Sequence, residues 1–246
     1  MRPNIIIDQG IALYIGQSQQ TTNHKHYAIQ ISIVLKGLYT LHVAAQCLEC
    51  TGIYINSNVE HKHNSLNGIH LSIFLDAETD IGQELSNTFS SDFHLFDPSP
   101  ILVKKFISQL TQQKKFLSVV EGFLYSLFNL SPIERKIDDR ILQTMEKITS
   151  TPIQNLRFEE LLADIPLSIS RIRHLFKAQV GISIQRYLLW VKVKKAFVQL
   201  TKGESLSQAA YTAGFADQAH MSRTIKDMFG LSPKQLLKDS HYVQDF

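Results

Sequence analysis

The chain has 246 residues, of which 44% are hydrophobic and 19% are charged, and its formal net charge at pH 7 is +3. This length and composition predict one or two globular domains with ample apolar core, and no stretch is long or apolar enough to cross a membrane. We expect no secretory signal, because the apolar run at the N-terminus is too short, and the two cysteines then favour a reducing cytoplasm.

Short apolar runs separated by polar and glycine-containing turns fill the first third of the chain. Strands are predicted at 5–7, 11–15, 28–35, 38–43, 52–56 and 69–75, with a hairpin turn at Lys36-Gly37. Many short strands joined by turns are typical of a small barrel or sandwich.

Helical periodicity begins near Ser99 and predicts helices at 101–111 and 116–130. Their apolar stripe either covers the barrel or forms a dimer face, and the pattern does not separate these roles. Ser131-Pro132 and a charged stretch indicate a domain boundary, so that domains are expected at 1–132 and 133–246.

Two segments of the second domain have the pattern of a helix-turn-helix. The later one, about 205–230, has a short helix, a turn at Gly214-Phe215 and a helix from Asp217 to about Phe229. The earlier one, about 158–181, has a helix at 158–163, a turn at 164–167 and a basic helix at 168–179. Ser168 and Asp217 are good N-caps. A helix at 184–200 separates the copies, and their repetition predicts two equivalent modules.

The distribution of charge agrees with a nucleic-acid partner for the second domain. Residues 134–246 have a net charge of +5, and residues 1–133 have a net charge of −2. Positive charge attracts phosphate, although +5 is too modest to establish DNA binding by itself.

The two modules resemble the DNA-binding domain of the AraC family of bacterial transcription regulators, over about Ile137 to Leu237. The matching residues of the later module are Ala209, Ala210, Gly214, Phe215, Ser222, Arg223, Lys226, Gly230, Ser232 and Pro233. Those of the earlier module and the intervening helix are Leu161, Ala163, Ser168, Ile172, Leu175, Phe176, Lys177, Gly181, Tyr187, Leu188 and Ala196. One departure bears on binding, because His174 stands where the family usually has an arginine.

The resemblance implies an α+β chain of two domains, in which an all-α C-terminal domain places two recognition helices in successive major grooves of double-stranded DNA at an operator or promoter. The side chains expected to face bases are Ser170, Arg173, His174, Gln218, Ala219, Ser222 and Arg223. Those expected at phosphates are Arg171, Lys177 and Lys226. A homodimer and a contact with RNA polymerase are further expected partners.

Histidines of the first domain follow the spacing of the cupin motifs. The first motif is matched by His24, His26, Gln30 and Gly37, with glutamine in place of its glutamate, and the second by Gly52, His63 and Asn67. The domain therefore resembles the cupin-like antiparallel β-barrel that AraC-type regulators often have as a sensor. The resemblance implies an effector site inside this barrel, for which the candidates are Tyr14, His24, His26, Tyr39 and His63.

A metal or other cofactor is not expected in this barrel. The candidate ligands are His24, His26 and His63, with His42 and His61 as additional ones, but glutamine is a poorer ligand than the glutamate that it replaces. Cys47 and Cys50 together with His61 and His63 also suggest a zinc site. Positions three apart in a strand face opposite sides, however, which disfavours a joint role for the two cysteines.

The sequence thus favours a DNA-binding transcription regulator that catalyses no reaction and responds to a small effector or to dimerisation. Two alternatives stay open: a metal-dependent cupin enzyme with a helical appendage, and a protein-binding adaptor without affinity for DNA. Stoichiometric metal with a complete ligand set would favour the enzyme, and a lack of salt-dependent DNA binding would favour the adaptor.

Overall fold

The computed structural model describes residues 4–8, 10–17, 20–64, 68–110, 115–131, 137–151, 162–237 and 241–242. The chain divides into two compact units. The first contains Met1–Ile133 together with Ile225–Phe246, and the second contains Glu134–Thr224. The last part of the chain therefore belongs with the N-terminal unit, whereas the sequence assigned it to the C-terminal domain. No helix among the described residues has the length and hydropathy needed to cross a bilayer.

Ten strands in two sheets form the framework of the first unit. They are β1 (Asn4–Asp8), β2 (Ile11–Gln17), β3 (Ile29–Lys36), β4 (Thr40–Val43), β5 (Gln46–Glu49), β6 (Gly52–Ile55), β7 (His61–Asn64), β8 (Ile69–Leu75), β9 (Phe93–Phe96) and β10 (His241–Tyr242) among the described residues. The larger sheet has the order β10-β1-β2-β8-β3-β6-β9, and the smaller has the order β5-β4-β7. Only the pairing of β1 with β10 is parallel within these described sheets. The antiparallel sheet domain expected from the sequence is confirmed.

Alternate side chains of β3 face two different buried surfaces. Ile31 pairs with Ile73 of β8, which in turn pairs with Leu13 of β2, and all three side chains are buried. On the opposite face, Gln30 and Ser32 lie in register with apolar residues of β6. Those β6 side chains pack against β4 of the smaller sheet, in a cluster of Tyr39, Leu41, Val43, Ile53 and Ile55. The polar residues of β3 therefore face the interior between the sheets.

Three helices of the first unit precede the second unit in the chain: α1 (Asp80–Thr88), α2 (Pro100–Leu110) and α3 (Phe116–Phe128). Thr79 caps α1 by accepting a hydrogen bond from the Gly82 N–H group. The rings of Phe106 and Phe123 stack at 4.1 Å between α2 and α3, and Phe128 lies 5.0 Å from the ring of Phe96 in β9. The apolar stripe of these helices is thus buried within one chain, which favours its role as a cover for the sheet.

The second unit is helical. It contains α4 (Asp139–Ser150), α5 (Ile169–Val180), α6 (Ile184–Thr201), α7 (Leu206–Thr212) and most of α8 (Gln218–Phe229). The last helix, α9 (Pro233–Leu237), belongs to the first unit. The core of the second unit includes Ile141, Ile148, Ile172, Phe176, Trp190 and Val193. The helix predicted at 158–163 lies largely outside the described residues. The boundary between the units falls inside α8, between Thr224 and Ile225.

Candidate nucleic-acid interface and interior histidine cluster

Helix α5 begins and ends where the sequence predicts. The Ser168 hydroxyl accepts a hydrogen bond from the Arg171 N–H group at 3.3 Å, and Gly181 ends the helix with a φ of 89°. Ile172, Phe176 and Val180 form the buried side. The opposite side is exposed and contains every residue expected at DNA in this module: Ser170, Arg171, Arg173, His174 and Lys177. Burial of one stripe therefore leaves a basic face on α5.

Helix α8 has the same organisation. Asp217 caps it by accepting a hydrogen bond from the His220 N–H group at 2.6 Å, while Met221 and Ile225 are fully buried. The residues expected at DNA are exposed in the cases of Gln218, Ala219, Arg223 and Lys226, and partly exposed in the case of Ser222. The Gln218 amide oxygen accepts a hydrogen bond from the Ser207 hydroxyl at 2.7 Å, which orients this side chain across the turn.

Lys192 of the intervening helix α6 stabilises the turn that precedes α8. Its ammonium group donates to the Gly214 carbonyl at 2.7 Å and lies 5.9 Å from the centre of the Phe215 ring. The turn places Gly214 at a φ of 76°, in the left-handed region that favours glycine. Partial burial of Lys192 lowers the pKa of its ammonium group. No local pattern in the sequence indicates this role of Lys192, because it depends on the packing of α6 against the turn.

Inside the first unit, three buried histidines form a compact cluster: His24, His26 and His61. One ligand atom from each lies within 4.8 Å of the others. The expected set contained His63 in place of His61. The backbones of His24 and His61 exchange two N–H···O bonds of 2.9 Å, and this register brings their rings to a centroid distance of 4.3 Å. His63 is further away, with its ring 6.3 Å from that of His24.

A polar chain connects this cluster with the interior of the sheet. The Gln30 amide oxygen lies 3.0 Å from Nε2 of His26 and 3.1 Å from Nε2 of His61. Its amide nitrogen donates to the Ser32 hydroxyl at 2.9 Å, and that hydroxyl lies 2.8 Å from the hydroxyl of Ser72. Gln30, Ser32 and Ser72 are each at most 2% exposed. Such a chain is stable in an apolar interior because each member has a partner.

The effector candidates Tyr14 and Tyr39 share a neighbour, His70, that is not among the candidates from the sequence. The Tyr39 ring stacks on His63 at 5.5 Å, and His70 lies 5.2 Å from Tyr14 and 5.6 Å from Tyr39. His63 Nδ1 and His70 Nδ1 are buried with no hydrogen-bond partner among the described residues, and the buried Tyr39 hydroxyl lies near the Ser32 side chain. Buried polar atoms of this kind need an explanation, which a bound molecule or water supplies.

Burial keeps these histidines neutral at physiological pH. It lowers the pKa of His24 to about 4, helped by the proximity of His26, and lowers the pKa of His70 to about 4. The pKa values of His26, His61 and His63 also lie below the ordinary value, with burial as the main cause. Uncharged imidazoles retain a lone pair that can accept a hydrogen bond or bind a metal.

The end of α8 contacts the segment that contains His24 and His26. The Gly230 carbonyl accepts hydrogen bonds from the N–H group and the hydroxyl of Thr22, at 3.2 and 3.3 Å. The Phe229 ring stacks on His26 with centroids 5.8 Å apart and an interplanar angle of 27°. All of these residues belong to the first compact unit.

The two cysteines have different surroundings. Cys47 is exposed on β5, where its sulfur lies 3.8 Å from Nε2 of His42 across the hairpin. Cys50 packs against the apolar cluster of β4 and β6, and burial raises its pKa to about 11. Within the described ranges, the group of three metal-ligating side chains includes neither cysteine.

Comparison with known proteins supports the assignment of the helical unit. The family described as a helix-turn-helix domain matches residues 161–239. The transcriptional activator RhaS of Klebsiella pneumoniae is 31% identical over 100 residues, which cover 40% of this chain and 36% of RhaS. The Msm operon regulatory protein of Streptococcus mutans is 26% identical over 156 residues, or 59% of this chain and 55% of that protein. The matches thus span about a third to about half of the length of these relatives.

The fold as a whole is similar to that of ToxT from Vibrio cholerae. The apo form of a ToxT variant has a TM-score of 0.65 and 14% identity, with 94% of this chain and 98% of that chain covered. Wild-type ToxT bound to an unsaturated fatty acid has a TM-score of 0.60 and 17% identity, with 93% and 94% covered. At these identities the similarity establishes the fold, which has an N-terminal antiparallel sheet domain and a C-terminal helical domain.

Proposed function

We propose that this chain, which belongs to the AraC family of transcription regulators through its helix-turn-helix domain, binds specific DNA sites through α5 and α8 and thereby regulates transcription. The observation that carries the proposal is the pair of capped helices, each with a buried apolar stripe and an exposed polar and basic face. The family is one of regulators rather than enzymes, and the exposed groups are suited to binding rather than to catalysis.

The two kinds of exposed side chain suggest a division of labour at the DNA. Ser170, Arg173 and His174 of α5, and Gln218, Ala219, Ser222 and Arg223 of α8, would contact base edges. Arginine pairs with guanine and glutamine with adenine through two hydrogen bonds in the major groove. Arg171, Lys177 and Lys226 would contact phosphates, which position the protein without distinguishing sequences.

The interior of the first unit is the proposed effector site. Tyr14, Tyr39 and His63 surround His70, and the unpaired imidazole nitrogens together with the buried Tyr39 hydroxyl would bind a small molecule that carries hydrogen-bonding groups. ToxT, which has a similar fold, binds an unsaturated fatty acid. A carboxylate is a suitable head group for this chain as well, because a buried tyrosine hydroxyl donates well to it. Dimerisation, contact with RNA polymerase and a cytoplasmic location belong to the same proposal.

Selection of bound DNA from a random pool tests the function. A selected site containing two half-sites separated by about one helical turn, roughly 34 Å, is expected if both modules bind. Enrichment of no sequence would refute specific binding. A single short half-site would show that only one module recognises bases.

Two substitutions on α8 then separate recognition of bases from contact with phosphates. Arg223→Ala should cost about 1–3 kcal/mol at the selected site and relax the preference at one base pair. Lys226→Ala should weaken binding to all sequences and lower the slope of log K against log salt by about one. Lys104→Ala removes the same charge from an exposed position of α2 and serves as the control. Equal losses for Arg223→Ala on specific and random DNA would assign that residue to the phosphates instead.

A further inference from the structure

The backbone holds His24, His26 and His61 in place as a preformed group. His24 and His61 are locked by two reciprocal N–H···O bonds of 2.9 Å, although they are far apart in the sequence. His26 lies two residues from His24 and is 3% exposed, and its ring is 5.2 Å from that of His61. Three imidazoles held together in a dry interior lose little conformational freedom when they bind a shared ligand.

Hydrogen bonding determines which nitrogen of each ring is available. The Nδ1 atoms of His24, His26 and His61 lie 2.8, 2.7 and 2.9 Å from the carbonyl oxygens of Thr22, Ala28 and Val59. A carbonyl only accepts hydrogen bonds, so each Nδ1 bears the proton and each Nε2 presents a lone pair. A donated bond from the second ring nitrogen to a carbonyl is the usual support of a metal-binding histidine.

Several acceptors therefore converge without a hydrogen among them. The Gln30 amide oxygen is 3.0 Å from Nε2 of His26 and 3.1 Å from Nε2 of His61, while the Gln30 amide nitrogen donates to Ser32. Two arrangements would resolve this. A cation would lie between the acceptors, or the Gln30 side chain would be rotated by 180° so that its NH₂ group donates to both Nε2 atoms. Bonds of 2.0–2.1 Å to tetrahedral zinc place neighbouring ligand atoms about 3.3 Å apart. The two Gln30 separations are close to this value, and the ligand atoms of the three histidines lie within 4.8 Å of one another.

We propose that His24, His26 and His61 bind a divalent transition metal through their Nε2 atoms, with the Gln30 amide oxygen as the fourth ligand. Imidazole nitrogens suit zinc, copper, iron and nickel, and a site closed by four protein ligands is typical of zinc in a structural or regulatory role. The ligand set differs from the one that the cupin spacing implies, because His61 takes the position expected for His63.

The proposed metal would act on the second recognition helix. Thr22 lies just before the segment that bears the ligands, and it contacts Gly230 at the end of α8. His26 is itself a proposed ligand, and its ring stacks on Phe229 of α8. A metal that fixes His24 and His26 would therefore fix the surface on which this helix end lies. This step rests on the proposed function, since it makes metal occupancy a regulator of DNA binding.

Metal binding is tested first and without DNA. The full-length protein, freed of metal by chelation, is titrated with Zn²⁺ and with Co²⁺, whose absorption spectrum reports tetrahedral nitrogen ligation. One tightly bound ion per chain is expected. His61→Asn should lose affinity by at least about 100-fold, since even changes behind the ligands cost 10–100-fold. His63→Asn, on the same strand, and Cys47→Ser should retain the wild-type affinity.

Circular dichroism and the unfolding midpoint of the metal-free proteins verify that the variants are folded. Absence of stoichiometric metal from folded wild-type protein would overturn the site and leave the rotated Gln30 amide as the arrangement of the cluster. Equal losses for His61→Asn and His63→Asn would overturn this ligand set. Loss of the metal in Cys47→Ser would assign the ion to the exposed His42 and Cys47 pair.

The link to DNA is tested with the site selected above. Wild-type affinity should differ at least fivefold between the zinc-loaded and metal-free forms, the lower end of ordinary coupling between sites, while His61→Asn should show no zinc response. Bound metal without a change in affinity would overturn the regulatory link. Failure to bind DNA in either form would refute the proposed function and leave the metal titration as an independent result.

Discussion

Replacement of Gly230 by alanine is the most direct test of the contact between the end of α8 and the histidine segment. Gly230 has a φ of 68°, which alanine adopts only at a cost of roughly 1–2 kcal/mol. A Cβ built on this residue lies 2.6 Å from the Thr22 carbonyl oxygen and 2.7 Å from Nδ1 of His24. Both distances are too short, and the Thr22 oxygen belongs to the backbone and has no rotamer with which to move away.

The expected loss of folding free energy is the sum of this backbone strain and the hydrogen bonds lost when α8 and the histidine segment move apart. If the two segments separate, the Gly230 carbonyl loses both hydrogen bonds from Thr22, each worth about 1 kcal/mol. Gly230→Ala should thus lower the free energy of unfolding of the first unit by about 3–4 kcal/mol. Gly181→Ala is the matched control, because Gly181 also has a positive φ, of 89°, and a Cβ there meets no atom within 4 Å among the described residues. It should cost only the 1–2 kcal/mol of backbone strain.

Urea unfolding and hydrogen exchange together provide the assay. The urea transition of the first unit should shift strongly in Gly230→Ala, and that of the second unit should shift weakly in Gly181→Ala. Exchange of amides in residues 20–27 should accelerate in Gly230→Ala alone, since the Thr22 N–H group loses its acceptor. Equal destabilisation by the two substitutions, with unchanged exchange at 20–27, would refute the contact.

Two further predictions concern the histidines and the caps. His70 has a pKa lowered from 6.5 to about 4 by burial, so the unfolded chain binds the proton first as pH falls, and stability is complete above pH 6.5 and declines towards pH 4. His70→Phe should therefore remove about 3 kcal/mol from the difference in unfolding free energy between pH 7 and pH 4, and an unchanged difference in urea titrations would contradict this. Ser168→Ala removes the side-chain cap of α5 and should lower the free energy of unfolding by about 1 kcal/mol. Ser170→Ala changes an exposed serine that caps no helix, and it should leave the urea midpoint unchanged.

The helical unit was largely predictable because its determinants are local. Ser168 and Asp217 cap α5 and α8 as predicted, and Gly181 and Gly230 end these helices with positive φ angles. Short strands of polar composition were not predicted, namely β5, with the sequence QCLE, and β7, with the sequence HKHN. These residues have little intrinsic preference for strands, and their extended conformation comes from hydrogen bonding to β4 on either side of it.

The composition of the histidine cluster shows the same limit at the level of a site. Sequence spacing selects His63, but strand register selects His61, because His24 pairs with His61 while Thr21 pairs with His63 through bonds of 3.0 and 2.9 Å. A shift in register of two residues would exchange the two histidines without altering the face on which they lie. Register depends on contacts between distant segments, so spacing indicated a group of histidines without determining which of them converge.

Gly230 joins the local and the distant determinants in one residue. A helix end in the left-handed conformation favours glycine, which explains its presence without reference to the contact with Thr22 and His24. The approach of Thr22 and His24 imposes a second requirement, since only a residue without a Cβ allows the helix end to lie against that segment. At Gly181 only the first requirement applies, so a substitution there violates the backbone preference and causes no steric clash with any described residue. The difference between these two glycines therefore measures how far the end of α8 depends on the histidine segment rather than on its own sequence.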